Sequence, residues 1–154
     1  MSEDATEMQE LYRELILDHA RQPRNFARLA NATHSAEGIN PLCGDKLHLY
    51  LIVEQDKIAK IGFQGSGCAI SMASASLLTE TVADRSVADA EAWAATVTRR
   101  LTTDDDAAPD DLDLSKLRAL DGVRQYPSRV KCATLAWHAL HAALNQAGVP
   151  ATTE

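Results

Sequence analysis

The sequence predicts an α+β protein, with its strands gathered in one run and its helices before and after them. Three observations carry this. Met8, Leu11, Tyr12, Leu15, Ile16 and His19 recur at spacings of three and four, the stripe of an amphipathic helix. KLHLYLIVE and KIAKIGFQG are β-rich segments separated only by Gln55 and Asp56, which predicts a hairpin. From Gly67 onward the pattern turns helical, beginning with the small residues of GCAISMASASLL.

The first helix is expected from about Ala5 to Arg21, stopped by Pro23. His19 lies on its apolar stripe, where a hydrogen-bonded core histidine is the ordinary expectation. ATHSAEGIN predicts a short edge strand. In the next hairpin, Leu47, Leu49, Leu51 and Val53 alternate onto one face. Gly65 and Gly67 permit a tight turn into the next helix, with Cys68 in its first turn. Ser86 caps VADAEAWAATVTRRL. TTDDDAAPDDLDLS is acidic and poor in large apolar residues, so it is expected as an exposed loop, and it lacks the glycine-centred pattern of a calcium loop. KLRAL predicts a short helix. Cys132 is expected to open a last helix, whose Leu135, Ala139, Ala142 and Ala143 form an apolar face, with Gly148 as its stop.

With 154 residues, 45% of them hydrophobic and 24% charged, the chain has an ordinary globular composition and is expected to form one domain over residues 1–154. Its beginning is acidic and polar, unlike a secretory signal, and no apolar run approaches the ~18 residues of a membrane span. A cytoplasmic, membrane-free location is therefore expected. The net charge of −7 argues against a nucleic-acid partner, whose phosphates need clustered lysine and arginine.

Three cysteines, Cys43, Cys68 and Cys132, cannot all pair within the chain, and a reducing cytoplasm disfavours disulfides in any case. Free thiols or metal ligands remain, and spacing alone favours scattered buried cysteines. Placement adds more. Cys68 and Cys132 fall at expected helix N-termini, where backbone N–H groups and the helix dipole favour a thiolate. Cys43 sits in a turn two residues from Asp45, so three sulfurs and one carboxylate converging at one end of the sheet would suit tetrahedral Zn²⁺. Arg129 and Lys131 stand beside Cys132, ready to offset the excess negative charge of such a site. A cysteine hydrolase using Cys68 or Cys132 with His138 or His141 as base is a more distant alternative, because both histidines lie well over a turn beyond Cys132.

PLCGD, GSGCAIS and RVKCATLAW, in that order behind a tyrosine-bearing first helix, resemble the U-type iron–sulfur assembly proteins, the IscU and SufU group of the NifU N-terminal type. The resemblance spans about Glu7 to Gly148. It implies a small antiparallel sheet of about three strands covered on one face by helices, with the cysteines and Asp45 clustered at one tip. The position before Cys132 holds Lys131, where the scaffold subtype has histidine, and QYPSRV offers only Pro127 where that subtype has a proline-rich segment. The acidic stretch at about 102–121 resembles the insertion of the SufU subtype. The resemblance implies a zinc protein, with Cys43, Asp45, Cys68 and Cys132 as ligands, that takes persulfide sulfur from a SufS-like cysteine desulfurase. Cys43 would be the acceptor, Arg129 a supporting charge, and downstream iron–sulfur assembly proteins the recipients. The alternative keeps the same ligands on a scaffold for a labile [2Fe–2S] cluster.

Overall fold

The computed structural model describes residues 3–103, 116–146 and 151–153. The acidic stretch from 104 to 115 and the expected stop at Gly148 lie outside the described residues, as does the side chain of Met8.

Helix α1, Glu3–Arg21, buries Ile16 and His19 and half-buries Tyr12 and Leu15, while Leu11 stays exposed. Strands β1, His34–Asn40, β2, Asp45–Glu54, and β3, Lys57–Ser66, come next in sequence. β1 and β2 pair antiparallel with Asn40 opposite Asp45, so Pro41 to Gly44 form the tip of a hairpin. β2 and β3 form the expected second hairpin, and its turn residues Gln55 and Asp56 have φ of 52° and 61°, the left-handed pair that a two-residue turn requires. Leu47, Leu49 and Leu51 are buried on one face as the alternation predicts.

β1 is not an edge. A two-residue strand β4, Ala151–Thr152, pairs with it in parallel, giving the order β3-β2-β1-β4. So short a segment carries no alternation of its own, and it is strand only because β1 has a free edge to offer it. On the far side, Phe63 N–H donates to Asn25 O at 3.0 Å, which ties the loop after α1 to the edge of β3.

Helices α2, Ala69–Val82, α3, Val87–Thr102, and α4, Pro127–Leu144, pack with the sheet around one core that includes Trp93, Trp137 and Phe63. Ser86 caps α3 by accepting from Asp89 N–H at 3.1 Å. The small residues of α2 serve close packing: Ser74 is fully buried, takes the Trp137 indole N–H at 3.0 Å and donates to Ala133 O at 2.5 Å, which ties α2 to α4. The expected short helix at KLRAL is a longer 3-10 helix, Leu117–Gln125. Among the described residues no helix is long and apolar enough to cross a membrane.

The start of α4 departs from expectation. It begins at Pro127, which fits the first helical position because it has no N–H to leave unpaired. Cys132 therefore lies in the second turn, fully buried, and not at the helix N-terminus.

Candidate metal centre

The tip of the β1–β2 hairpin is built by Asn40-Pro41-Leu42-Cys43, closed by Cys43 N–H donating to Asn40 O at 3.3 Å. Gly44 then takes φ of +73°, a conformation costly for any side chain with a Cβ. The turn leaves Cys43 exposed and turns Asp45, the first residue of β2, inward to 1% exposure. The CGD triplet thus splits its two donors between solvent and interior.

Asp45 is the hub. Its Oδ1 accepts Cys68 N–H at 2.8 Å, and its Oδ2 lies 3.9 Å from the Cys68 sulfur and 3.5 Å from Asn40 Nδ2. Asn40 Nδ2 also points at the Cys132 sulfur, 3.7 Å away. Cys43, Asp45 and Cys132 have one donor atom each, all within 4.8 Å of one another. Cys68 falls outside that mutual grouping and joins it through Asp45. The four residues predicted as ligands therefore meet at one end of the sheet, brought from the hairpin tip, the start of α2 and the second turn of α4.

Cys68 is the N-cap of α2, and its sulfur accepts Ser71 N–H at 3.4 Å. Sulfur here fills the place that a side-chain oxygen usually takes at a helix N-cap. Cys132 is different. Burial pushes its thiol well above the usual range, with Asp45, Cys68 and Cys43 adding to the rise. The expectation of a helix-activated thiolate is corrected: α4 starts five residues before Cys132, so the unpaired backbone N–H groups of the first turn lie ahead of it, and its sulfur lies 3.5 Å from Ser128 O. A buried sulfur among other anionic donors needs a cation beside it to ionise.

The histidines stand apart from the thiols. His141 is exposed and pairs with Glu91 at 2.8 Å, and the hydrogen-bond partners of Cys68 and Cys132 are Asp45, Ser71, Asn40 and Ser128. The nucleophile–base contact of a cysteine hydrolase is not made among the described residues. Arg129 is exposed and lines a groove beside α1 and α2, and Lys131 is half-buried on another side of α4.

Two residues have roles that sequence reasoning misses. Asn40 has the pattern of a turn former, yet it is fully buried and its Oδ1 has no hydrogen-bond partner. Gly67 has the pattern of a turn glycine, yet a Cβ there would stand 2.5 Å from Asp45 Oδ1. It is glycine because the carboxylate occupies the space a side chain would need.

With the donors in place, likeness to known proteins becomes informative. The family model for the NifU-like N terminal domain matches residues 11–147. The chain belongs to that family. Among its NifU-like relatives, the zinc-dependent sulfurtransferase SufU of Bacillus subtilis is 37% identical over 130 residues, covering 84% of this chain and 86% of that protein. The iron–sulfur cluster assembly scaffold protein IscU of Streptococcus pyogenes is 34% identical over 141 residues, covering 92% and 87%. A solved structure of a putative iron–sulfur cluster assembly scaffold protein for the SUF system, from Fervidobacterium islandicum, superposes with a TM-score of 0.78 at 30% identity, covering 85% of this chain and 94% of that one. This NifU-like chain is thus an iron–sulfur assembly protein of the SufU and IscU kind, with a candidate cysteine and aspartate metal site at its tip.

Proposed function

We propose that this protein is a zinc-dependent sulfur acceptor, which takes persulfide sulfur from a SufS-like cysteine desulfurase and passes it to downstream iron–sulfur assembly proteins. The supporting observation is the convergence of Cys43, Asp45 and Cys132 donor atoms within 4.8 Å, with Cys68 against the same carboxylate and Cys43 as the exposed sulfur of the group. The 37% identity to a zinc-dependent sulfurtransferase, and Lys131 before Cys132, point the same way.

The donor set fits zinc, which favours sulfur and carboxylate oxygen in fours. Cys43, Asp45, Cys68 and Cys132 would hold it. Buried Cys132, pushed towards the neutral thiol by its surroundings, is the group that most needs a dication. Bound zinc would keep the sulfurs as thiolates while masking them from oxidation.

Cys43 is the nucleophile of the set, since it lies on a turn hinged at Gly44 whereas Cys68 caps a helix and Cys132 is packed in one. Its thiolate attacks the outer sulfur of the desulfurase persulfide. One S–S bond forms as the donor's S–S bond breaks, the donor cysteine leaves as thiolate, and no electrons are gained or lost overall. Arg129, on the turn of α4 before Cys132, supports the site's negative charge or the docking of the partner.

The 34% identity to an IscU scaffold over 92% of the chain favours a second function, assembly of a labile [2Fe–2S] cluster on the same donors. Metal analysis and visible absorption of protein purified without oxygen separate the two. Near-stoichiometric zinc in a colourless protein supports the acceptor, while iron and sulfide with visible absorption replace it with the scaffold.

A further inference from the structure

An open groove of about 950 Å³ runs between α1, the start of α2, the 3-10 helix and the start of α4. Arg13, Arg118 and Arg129 line it, one from each of three elements, and all three are exposed. None of them has an ion-pair partner among the described residues. Arginines elsewhere do: Arg24 pairs with Asp18, and Arg100 and Arg124 pair with Asp121. Among the described residues Asp121 is the one acidic residue lining the groove, and it is already engaged by those two. In a chain of net charge −7, three uncommitted guanidinium groups around one groove mark it for an anionic occupant.

The remaining lining narrows the chemistry. Leu17, Ile70 and Tyr126 contribute apolar surface, and Tyr126 is 59% exposed. A small anion would leave that surface wet, and a nucleic acid, with a phosphate at every step, would need more clustered basic groups than these three. A peptide segment that carries carboxylates beside apolar side chains meets both demands. Location adds the rest. Ala69 and Ile70 in the lining come directly after Cys68, and Arg129 lies three residues before Cys132, so a segment seated here belongs to a protein reaching the sulfur site. Leu42, next to Cys43, is 73% exposed and extends the apolar surface available at the tip.

We propose that this groove docks an acidic, partly apolar segment of the protein that delivers sulfur to Cys43. The inference rests on the sulfur-acceptor function proposed above and names the chemistry of its partner: carboxylates on the Arg13, Arg118 and Arg129 guanidinium groups, with an aliphatic side chain against Leu17 and Ile70.

The test uses the full chain in its metal-loaded form and the exposed-residue variant Arg13→Glu/Arg118→Glu. One probe is a fluorescein-labelled peptide of alternating aspartate and leucine, compared with its asparagine counterpart. The other is a purified cysteine desulfurase in a sulfur-transfer assay. The acidic peptide should bind wild type in a salt-sensitive manner and bind the variant about tenfold more weakly or worse, and the asparagine peptide should bind neither. The variant should raise KM for the desulfurase by a similar factor, with kcat and bound metal unchanged. Equal binding of both peptides, binding indifferent to charge reversal, or a self-associated dimer that the variant dissolves would overturn the proposal. Sulfur acceptance with unchanged KM in the variant would sink the groove alone. Wild type that binds the acidic peptide but accepts no sulfur would sink the acceptor function and leave the groove's preference for acidic segments standing.

Discussion

Asp45 has a buried carboxylate whose two oxygens serve different neighbours, one holding the backbone of Cys68 and the other facing the Cys68 sulfur and Asn40. Asp45→Ala removes both the oxygen donor and the strut between β2 and α2. Zinc affinity should fall roughly 10–100-fold, with sulfur acceptance reduced alongside it. Unchanged zinc retention, measured by competition with a chromogenic chelator, would reduce Asp45 to a turn residue. Gly67 tests the same contact from the other side. Gly67→Ala forces a methyl group against Asp45 Oδ1 and should cost about 1–3 kcal/mol of stability, whereas in an Asp45→Ala background the same change should cost little. Equal costs in both backgrounds, read from denaturant melts, would show that the methyl meets something other than the carboxylate. Cys43, Asp45 and Cys68 are legible in the sequence because each sits beside a glycine or at an expected element boundary. Asn40 and Gly67 are not, because their roles are contacts with residues far along the chain, and both belong to types that turns use anyway.

The contact between α1 and α2 carries its own pH dependence. His19 is 1% exposed, with Nδ1 2.7 Å from Ser76 Oγ and Nε2 3.5 Å from Glu80 Oε1. Arg24 N–H donates to the same Ser76 oxygen, so the serine hydroxyl is free to donate to Nδ1, leaving the neutral ring with its proton on Nε2 towards Glu80. Burial, followed by the charge of Arg24, holds the His19 imidazole below its usual range, while Glu80 and Asp18 pull upward and Lys116 adds to the lowering. The unfolded chain therefore takes up this proton first. The stabilisation is fully present above about pH 6.5 and is lost as pH falls below that value, until the folded ring protonates too. The difference in unfolding free energy between wild type and His19→Gln should shrink on acidification from about pH 7.5 to 5, and a difference constant with pH would contradict a neutral His19. At this scale the sequence serves well for α1, both β2–β3 strands, α2 and α3. It places the start of α4 five residues late, since Pro127 looks like part of a lead-in when its missing N–H in fact suits a first helical turn.

Across the whole molecule, the site draws its donors from a hairpin tip and two helices, so whatever binds them ties the sheet to the helical layer. Stripping the metal should lower the melting temperature by about 10 °C, the effect of roughly 3–4 kcal/mol of lost linkage in a chain of this length. Coincident melts with and without chelator, once metal loss is verified, would remove zinc from any structural part. The α+β class is legible because strand alternation and helical periodicity occupy separate stretches, while β4 is invisible because two residues carry no period. The most direct test of the central claim is to map the persulfide after incubation with a cysteine desulfurase and its substrate, by mass spectrometry of wild type and the three single cysteine-to-serine variants. The extra sulfur should be found on Cys43 in wild type and be absent from Cys43→Ser, which should keep the most metal of the three variants, whereas Cys68→Ser and Cys132→Ser should fail through loss of zinc. Extra sulfur mapped to Cys68 or Cys132 in the wild-type protein would contradict the assignment and move the acceptor from the exposed tip to a sulfur anchored in the helical layer.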